Sequence, residues 1–496
     1  MFNDHALPRE RRVVYSRLMS REKNIKVPER VHRVLAGLRA ASFDAYVVGG
    51  CVRDVMLKKE PKDWDVATNA QPEQIQKVFP KSFYENKFGT VTVHESGMEV
   101  QVTTYRIDHH YTDKRRPDEV TYTQDLKEDL ARRDFTINAM AFGHDEKIVD
   151  PFHGEKDLRE ELVRAVGSPH ERFEEDALRL MRAVRFATQL NFTIEKETLA
   201  AIKESSSSIA HVSQERIRDE FVKMIMSVHA ARGAELLRET GLLAYIIPEI
   251  LEGVGVTQNK HHIYTVYEHN LRALAYAAEQ NYNLSVRLAA FFHDVAKPRT
   301  KRGEGPNATF YNHDIFGAKV SKNIMQRMKF STADIEKVFL LVRYHLFYYN
   351  VDEVTPSSVR RLIKNVGLEN MDDLINVRFA DRIGSGVPKA EPYKLRHFRY
   401  MVHSLSKDPI SVKMLKVNGD DVMRILGISP SPKIGIILNA MLSEVLDNPK
   451  LNTEEYLDDR MVELNKMSVS ELSDMIKKAD EHIQIFESEE RRKFNV

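Results

Sequence analysis

The sequence predicts an α+β N-terminal part, a small mixed sheet with helices behind it, followed by an all-α remainder. Three observations carry this. Strand-like alternation is concentrated early in the chain, in Tyr46-Val47-Val48, Gly89-Thr-Val-Thr-Val and Val100-Gln-Val-Thr-Thr-Tyr. From Glu174 onward apolar residues recur at helical spacing instead, as Leu178, Met181, Val184 and Ala187 do. A chain of 496 residues is also too long for one core, so several domains are expected.

Composition narrows the class. Hydrophobic content of 42% and charged content of 30% fit a soluble globular protein. The single cysteine, Cys51, excludes an internal disulfide framework and fits a reducing cytoplasm. No apolar run approaches a membrane span, so no membrane partner is expected. A net charge of +1 does not by itself point to nucleic acid; local clusters must do that.

The elements follow in order. Residues 1–28 form a basic tail with Arg9, Arg11, Arg12, Arg17 and Arg21, and Pro28 starts an amphipathic helix over Val31 to Ala41. Tyr46 to Val48 reads as a buried strand. Gly49 and Gly50 allow a sharp turn, and Val52 to Leu57 suits a helix start whose N–H groups can hold phosphate. Asp63-Trp64-Asp65 is expected on a strand, where side chains two apart point to one side. Two hard oxygen ligands so placed suit Mg²⁺ when substrate phosphates complete its shell. An Asp-x-Asp alone is commonly a surface turn; Gly-Gly-x-x-Arg-Asp before it favours the catalytic reading. Pro72 to Phe79 reads as a helix.

The run from Gly49-Gly50-Cys51-Val52-Arg53-Asp54 through Asp63-Trp64-Asp65 resembles the head of the class II tRNA nucleotidyltransferases, the CCA-adding enzymes and bacterial poly(A) polymerases. The resemblance implies a nucleotidyltransferase-type head over 29–165 and a helical neck over 166–238 that binds nucleobase and tRNA. Asp63 and Asp65 would be catalytic and hold Mg²⁺. Relatives commonly carry Glu where this chain has Gln101, so either Glu99 substitutes or two aspartates suffice with Gln101 orienting a water. The charged run from Ile107 to Val120, with Arg115, Arg116 and Pro117, reads either as a loop around substrate or as a plain solvated loop. In Arg132-Arg133-Asp134-Phe135-Thr136-Ile137-Asn138, Arg133 is carried over as a triphosphate ligand. Asp150-Pro151-Phe152-His153-Gly154 would be the hinge into the neck.

Glu174 to Phe186 reads as one helix that places Asp176 and Arg179 side by side. By the resemblance this pair reads the Watson–Crick edges of cytosine and adenine. Gly50, Arg53, Arg182 and Arg185 would join Arg133 on the triphosphate. Ser205 to Ser208 reads as a turn, and Ser213 as the N-cap of a second helix to Ser227.

From about residue 240 the pattern His269, His293-Asp294, His313, His345, Asp381 resembles the HD phosphohydrolases, which places an HD domain at 239–400. Imidazoles and carboxylates from separate helices would converge on divalent metal. The resemblance gives His269, His293, Asp294 and Asp381 to a first metal, and His313 and His345 to a second. Lys297 would sit near substrate phosphate. A transition metal such as Ni²⁺, Mn²⁺ or Co²⁺ is expected here. The tail, 401–496, is helical and charged, and the resemblance to the tRNA nucleotidyltransferases implies that it binds tRNA. Its Pro430-Ser431-Pro432-Lys433 resembles a segment of HD-containing CCA-adding enzymes, with Ser431 in place of a commoner Gly, and makes Lys433 a candidate RNA contact.

The reading is a cytoplasmic CCA-adding tRNA nucleotidyltransferase with an HD domain. It would transfer CMP and AMP from CTP and ATP to tRNA as a monomer or homodimer. A poly(A) polymerase, a CC-only or A-only enzyme, and an HD phosphohydrolase with a nucleotide-sensing head are the alternatives.

Overall fold

The computed structural model describes residues 27–84, 89–109, 119–143, 147–259, 263–351 and 354–478. The N-terminal arginines up to Arg21 and the loop arginines Arg115 and Arg116 lie outside these. The chain divides into two compact units, Met1–Val212 and Ser213–Val496.

The first unit is built on strands β1 (Ala45–Val48), β2 (Asp65–Thr68), β3 (Ser82–Tyr84), β4 (Thr90–Glu95), β5 (Met98–Thr104), β6 (Arg106–His109), β7 (Glu119–Tyr122), β8 (Ala141–Phe142), β9 (Ile148–Val149), β10 (Leu162–Val163) and β11 (Thr193–Ile194). Seven of them form one mixed sheet in the order β3-β4-β5-β2-β1-β8-β9. Its neighbours are antiparallel except β2 and β5, which run parallel. The helix Glu29–Ala40 lays Val31, Val34, Leu35 and Leu38, at helical spacing, into the core. Each such aliphatic side chain gains about 1.5–3 kcal/mol by leaving water. Pro28 precedes this helix, as expected.

The turn at 150–154 is also present. Asp150 Oδ1 and Oδ2 accept from the N–H groups of Gly154 and Glu155 at 2.7 and 2.9 Å, satisfying donors at the start of the helix Gly154–Arg159. The serine run is not a simple turn. Ser206–His211 continues the helix Lys196–Ser205 as a 3₁₀ helix.

The second unit is helical. Helices Val266–Glu279, Leu284–Phe292 and Met371–Gly384 pack on one another, and His313–Arg327 packs on Thr332–Tyr344. Ser213 does precede the helix Gln214–Ile225, but its side chain makes no capping bond. This helix belongs to the second unit, although the sequence placed it in the neck. The reason is Arg287, fully buried, which donates to the carbonyls of Tyr282, Ile225 and Ser227 at 2.8–2.9 Å. Leaving those acceptors unpaired inside the protein would cost about 1–3 kcal/mol each. Arg360 and Arg361 likewise donate to the carbonyls of Leu446 and Ser443 near the end of the helix Pro432–Asp447. Among the described residues no helix is long and apolar enough to cross a membrane.

Candidate active site and metal centre

Gly49 closes β1 with φ +85°, a conformation that costs glycine little. A Cβ there would meet Arg133 Nη1 at 2.7 Å. The bare turn therefore seats Arg133 against the backbone. The Nε of Arg133 is buried without a hydrogen-bond partner among the described residues, and Nη2 lies 3.4 Å from Asp129 Oδ2.

The strand expected over Asp63-Trp64-Asp65 begins only at Asp65. Asp63 sits in the preceding bend, exposed, while Trp64 turns into the core. A bend around a buried Trp64 thus brings the carboxylates together, not a strand's period of two. Burial pushes the Asp65 carboxyl up; Arg133 draws it down, and Asp63 adds to the rise. Across the parallel pair, Asp65 is in register with Gln101. Glu99, two residues back, faces His94 at 3.6 Å across β4 and β5. Among the described residues no third acidic or imidazole side chain joins Asp63 and Asp65.

The neck helix is not continuous. Pro169–Glu175 and Leu178–Leu190 are separate helices, and Asp176 between them is extended, with φ −139°. Its Oδ1 accepts from the Leu178 N–H at 3.0 Å, opening the second helix. Asp176 and Arg179 are therefore not neighbours on one helix surface. Arg179 turns inward instead, to the carboxylate of Glu175 and to the carbonyls of Arg172 and Arg132. This ties the neck to the Arg132-Arg133 block.

Three guanidiniums surround one ring. Arg53, Arg182 and Arg185 lie 5.0, 5.3 and 3.8 Å from the centroid of Phe186. Arg53 is buried and bonded to Asn138 Oδ1 at 2.6 Å and to Asp54. Arg182 grips Asp134 Oδ2 through Nε at 2.8 Å and Nη2 at 2.5 Å, and Arg185 reaches Gln189 at 2.9 Å. Burial alone would raise the Asp134 carboxyl; Arg182 and Asn138 overcome it and hold it at about 2. The anchors Asp129, Asp134, Asn138 and Phe186 were not singled out as site residues from the sequence. Only the Asp134-Phe135-Thr136-Ile137-Asn138 block hinted at two of them.

In the second unit all six HD residues converge, each buried. His269 Nε2 lies 3.2 Å from Asp294 Oδ2 and 3.3 Å from Asp381 Oδ1. His293 Nε2 is 3.4 Å from the same Asp294 oxygen. The other oxygen, Oδ1, faces His313 Nε2 at 3.3 Å and His345 Nε2 at 3.8 Å. Asp294 thus divides its carboxylate between His269 and His293 on one side and His313 and His345 on the other. The Nδ1 atoms of His293, His313 and His345 face the carbonyls of Ala290, Phe310 and Val342 at 2.6–2.9 Å. That turns each Nε2 inward, the orientation of metal-ligating imidazoles.

The donor set fits divalent metal. The Nε2 atoms of His313 and His345 are buried with no hydrogen-bond partner among the described residues. Burial and the neighbouring His293 and His313 keep His345 well below the usual imidazole range, hence neutral. Burial opposes charge on His293 too, yet Asp294 and Asp381 lift it to about 10. Burial would also raise Asp294, but Lys297 and His293 hold it well below the carboxylate range. Lys297 Nζ sits 2.7 Å from Asp294 Oδ2 and 2.7 Å from Gln258.

A cavity of about 190 Å³ opens beside these groups, lined among others by Lys297, Arg378, Arg382 and Ser385. Arg378 pairs with Asp381, and Arg382 Nη1 reaches the Tyr349 hydroxyl at 3.0 Å. Neither arginine was assigned a role from the sequence, although Arg378 stands one helical turn before Asp381. Gly384 is required here, because a Cβ would fall 3.1 Å from the His269 ring.

Lys433 has an internal partner. Its ammonium donates to the Asn465 carbonyl at 2.7 Å, at the end of the helix Glu454–Asn465. The expected RNA contact is in this structure a helix cap.

Residues 45–164 match the family model of the poly A polymerase head domain. Residues 191–253 match that of the probable RNA- and SrmB-binding site of polymerase A, and 266–383 that of the HD domain. The CCA-adding enzyme of Lactobacillus helveticus is 48% identical over 210 residues, covering 42% of this chain and 53% of that protein. The chain thus spans about half the length of the curated relatives it matches. A crystal structure of the Bacillus stearothermophilus CCA-adding enzyme in complex with CTP superposes with a TM-score of 0.67 at 29% identity, over 88% of this chain and 97% of that one. The Thermotoga maritima CCA-adding enzyme complexed with tRNA shares the fold, with a TM-score of 0.53 at 19% identity over 90% and 98%. These likenesses bear out the resemblance to class II nucleotidyltransferases with an HD domain, and the α+β head followed by helices.

Proposed function

We propose that the chain adds CMP and AMP from CTP and ATP to the 3′ end of tRNA. The observation that carries this is the pairing of Asp63 and Asp65 beside Arg133, in a domain that matches the polymerase head. The all-oxygen pair suits Mg²⁺, which when bound supplies charge to the reacting phosphate and to the departing pyrophosphate. Burial raises the Asp65 carboxyl, and the field of Arg133 opposes that rise. Arg133, seated against Gly49, presents its guanidinium to the triphosphate. Gly50 leaves the turn open to it. Arg182 and Arg185 line the adjoining surface around Phe186, and Arg53 stiffens it through Asn138 and Asp54. Base selection is assigned to Asp176 and Arg179. Arg179 is held by Glu175, so selection requires it to exchange that partner for the base edge. Gln101, not Glu99, stands beside the metal pair and orients water there. Incorporation of single and mixed nucleotides into tRNA ending before CCA tests the reading. Extension by ATP alone to many residues would favour poly(A) polymerase, and C-only or A-only addition a partial enzyme.

The HD residues support a second activity, hydrolysis of a phosphate ester. His269, His293 and Asp381 would hold one metal, His313 and His345 the other, with Asp294 between them. Ni²⁺, Mn²⁺ or Co²⁺ suits this imidazole-rich set, and when bound it would supply an activated water. Lys297, Arg378 and Arg382 line the cavity as the cations that receive the substrate's phosphate.

A further inference from the structure

One surface of the second unit is absorbed by neither site. The helix Tyr393–Leu405 turns Leu395, Phe398 and Val402 into the core, and Phe398 stacks on Phe347 with centroids 4.7 Å apart. Its opposite face carries Tyr393 and Tyr400, 63% and 68% exposed. Arg396, His403 and Ser404 share that face, and Lys407 continues it, all exposed. The positions recur every three or four residues, so they form one stripe. Residues 393–407 contain four Lys or Arg and two His, and no Asp or Glu, in a chain whose net charge is only +1. Neither Arg396 nor Lys407 pairs with a carboxylate among the described residues. The stripe lies outside the residues that match the RNA-binding and HD family models.

We infer that this stripe is a binding surface for unpaired nucleotides of RNA. Two bare tyrosines on one face offer flat rings on which bases stack, and Arg396 between them and Lys407 beyond them meet the phosphates. Tyr393 and Tyr400 are two turns apart, about 10 Å along the axis. Bases within a duplex are already stacked and present no free face, so the occupant is a loop or a single-stranded end. The RNA's identity as tRNA rests on the function proposed above.

The test is equilibrium binding of tRNA lacking its CCA end to the full chain, from 50 to 200 mM salt. Tyr393→Ser with Tyr400→Ser is expected to weaken binding roughly tenfold per tyrosine with little change in salt dependence, whereas Phe at both positions retains it. Arg396→Ser with Lys407→Ser is expected to reduce the slope of log affinity against log salt by about 0.7 per lost contact. CTP binding without RNA and the urea midpoint of the second unit stay unchanged in both, showing that both units are folded. The inference is overturned if both pairs of substitutions bind within twofold of wild type with the same slope. Wild type that binds an unstructured oligoribonucleotide through these residues but does not bind tRNA would sink the proposed function and leave the stripe standing.

Discussion

Gln101 is the register partner of Asp65 across the parallel β2–β5 pair. A neutral amide thus stands where a third carboxylate would complete an oxygen cage. Gln101→Glu is expected to lower the Mg²⁺ concentration needed for half-maximal CMP incorporation several-fold. Glu99→Gln is expected to leave it unchanged, because Glu99 faces His94. A Mg²⁺ titration of both variants checks this, and a response from Glu99 alone would reverse the assignment.

Asp63→Ala and Asp65→Ala should each abolish incorporation of both C and A while tRNA binding persists. Arg133→Ala should weaken CTP affinity. It also removes the cation that lowers the Asp65 carboxyl, so that carboxyl rises further. The acid limb of the pH profile of kcat/KM should then move to higher pH. A limb that stays in place would show that Asp65 does not set it.

Arg179→Ala should relax selection against UTP and GTP more than it weakens triphosphate binding. Competition among the four nucleotides measures this. Equal loss for all four with selectivity intact would give Arg179 a purely structural role, tying Glu175 to Arg132.

Asp134 is held at about 2 in the folded state against about 3.9 in an unfolded chain. Its folded value is depressed, so the stabilisation is present above about pH 4 and lost as pH falls through about 2. Arg182→Met leaves Asp134 buried without its cation and should cost about 3–5 kcal/mol. Asp134→Asn should flatten stability between pH 4 and 2. Urea denaturation across this range reads both.

Asp294→Ala removes the carboxylate that both halves of the HD cluster share, and should lose all bound transition metal and any hydrolysis of phosphomonoesters or 2′,3′-cyclic phosphates. His313→Ala should lose only one of two metal equivalents. Nucleotide addition should persist in both, whereas Asp65→Ala should show the reverse. Metal analysis of the purified protein, alongside the two assays, separates the sites. Gly384→Ala should displace the His269 ring and lower metal content although no ligand is substituted.

The sequence by itself determined the sheet-bearing first part, the helical remainder and the side chains to which chemistry is assigned here. Gly49 at a forced turn, the Asp63 and Asp65 pair, and His and Asp residues repeated on separate helices are local patterns. Backbone preference and periodicity write them within a few residues of chain. What it could not supply was every relation that depends on partners far apart in the chain. Arg179 turns inward because the carbonyl of Arg132, forty-seven residues earlier, waits there. Lys433 meets a helix end thirty-two residues away. Gln101 rather than Glu99 stands beside Asp65 because strand register sets which residues face each other. The division of Asp294 between two sets of imidazoles was likewise decided only in three dimensions, where three helices and the ends of two others bring their side chains together.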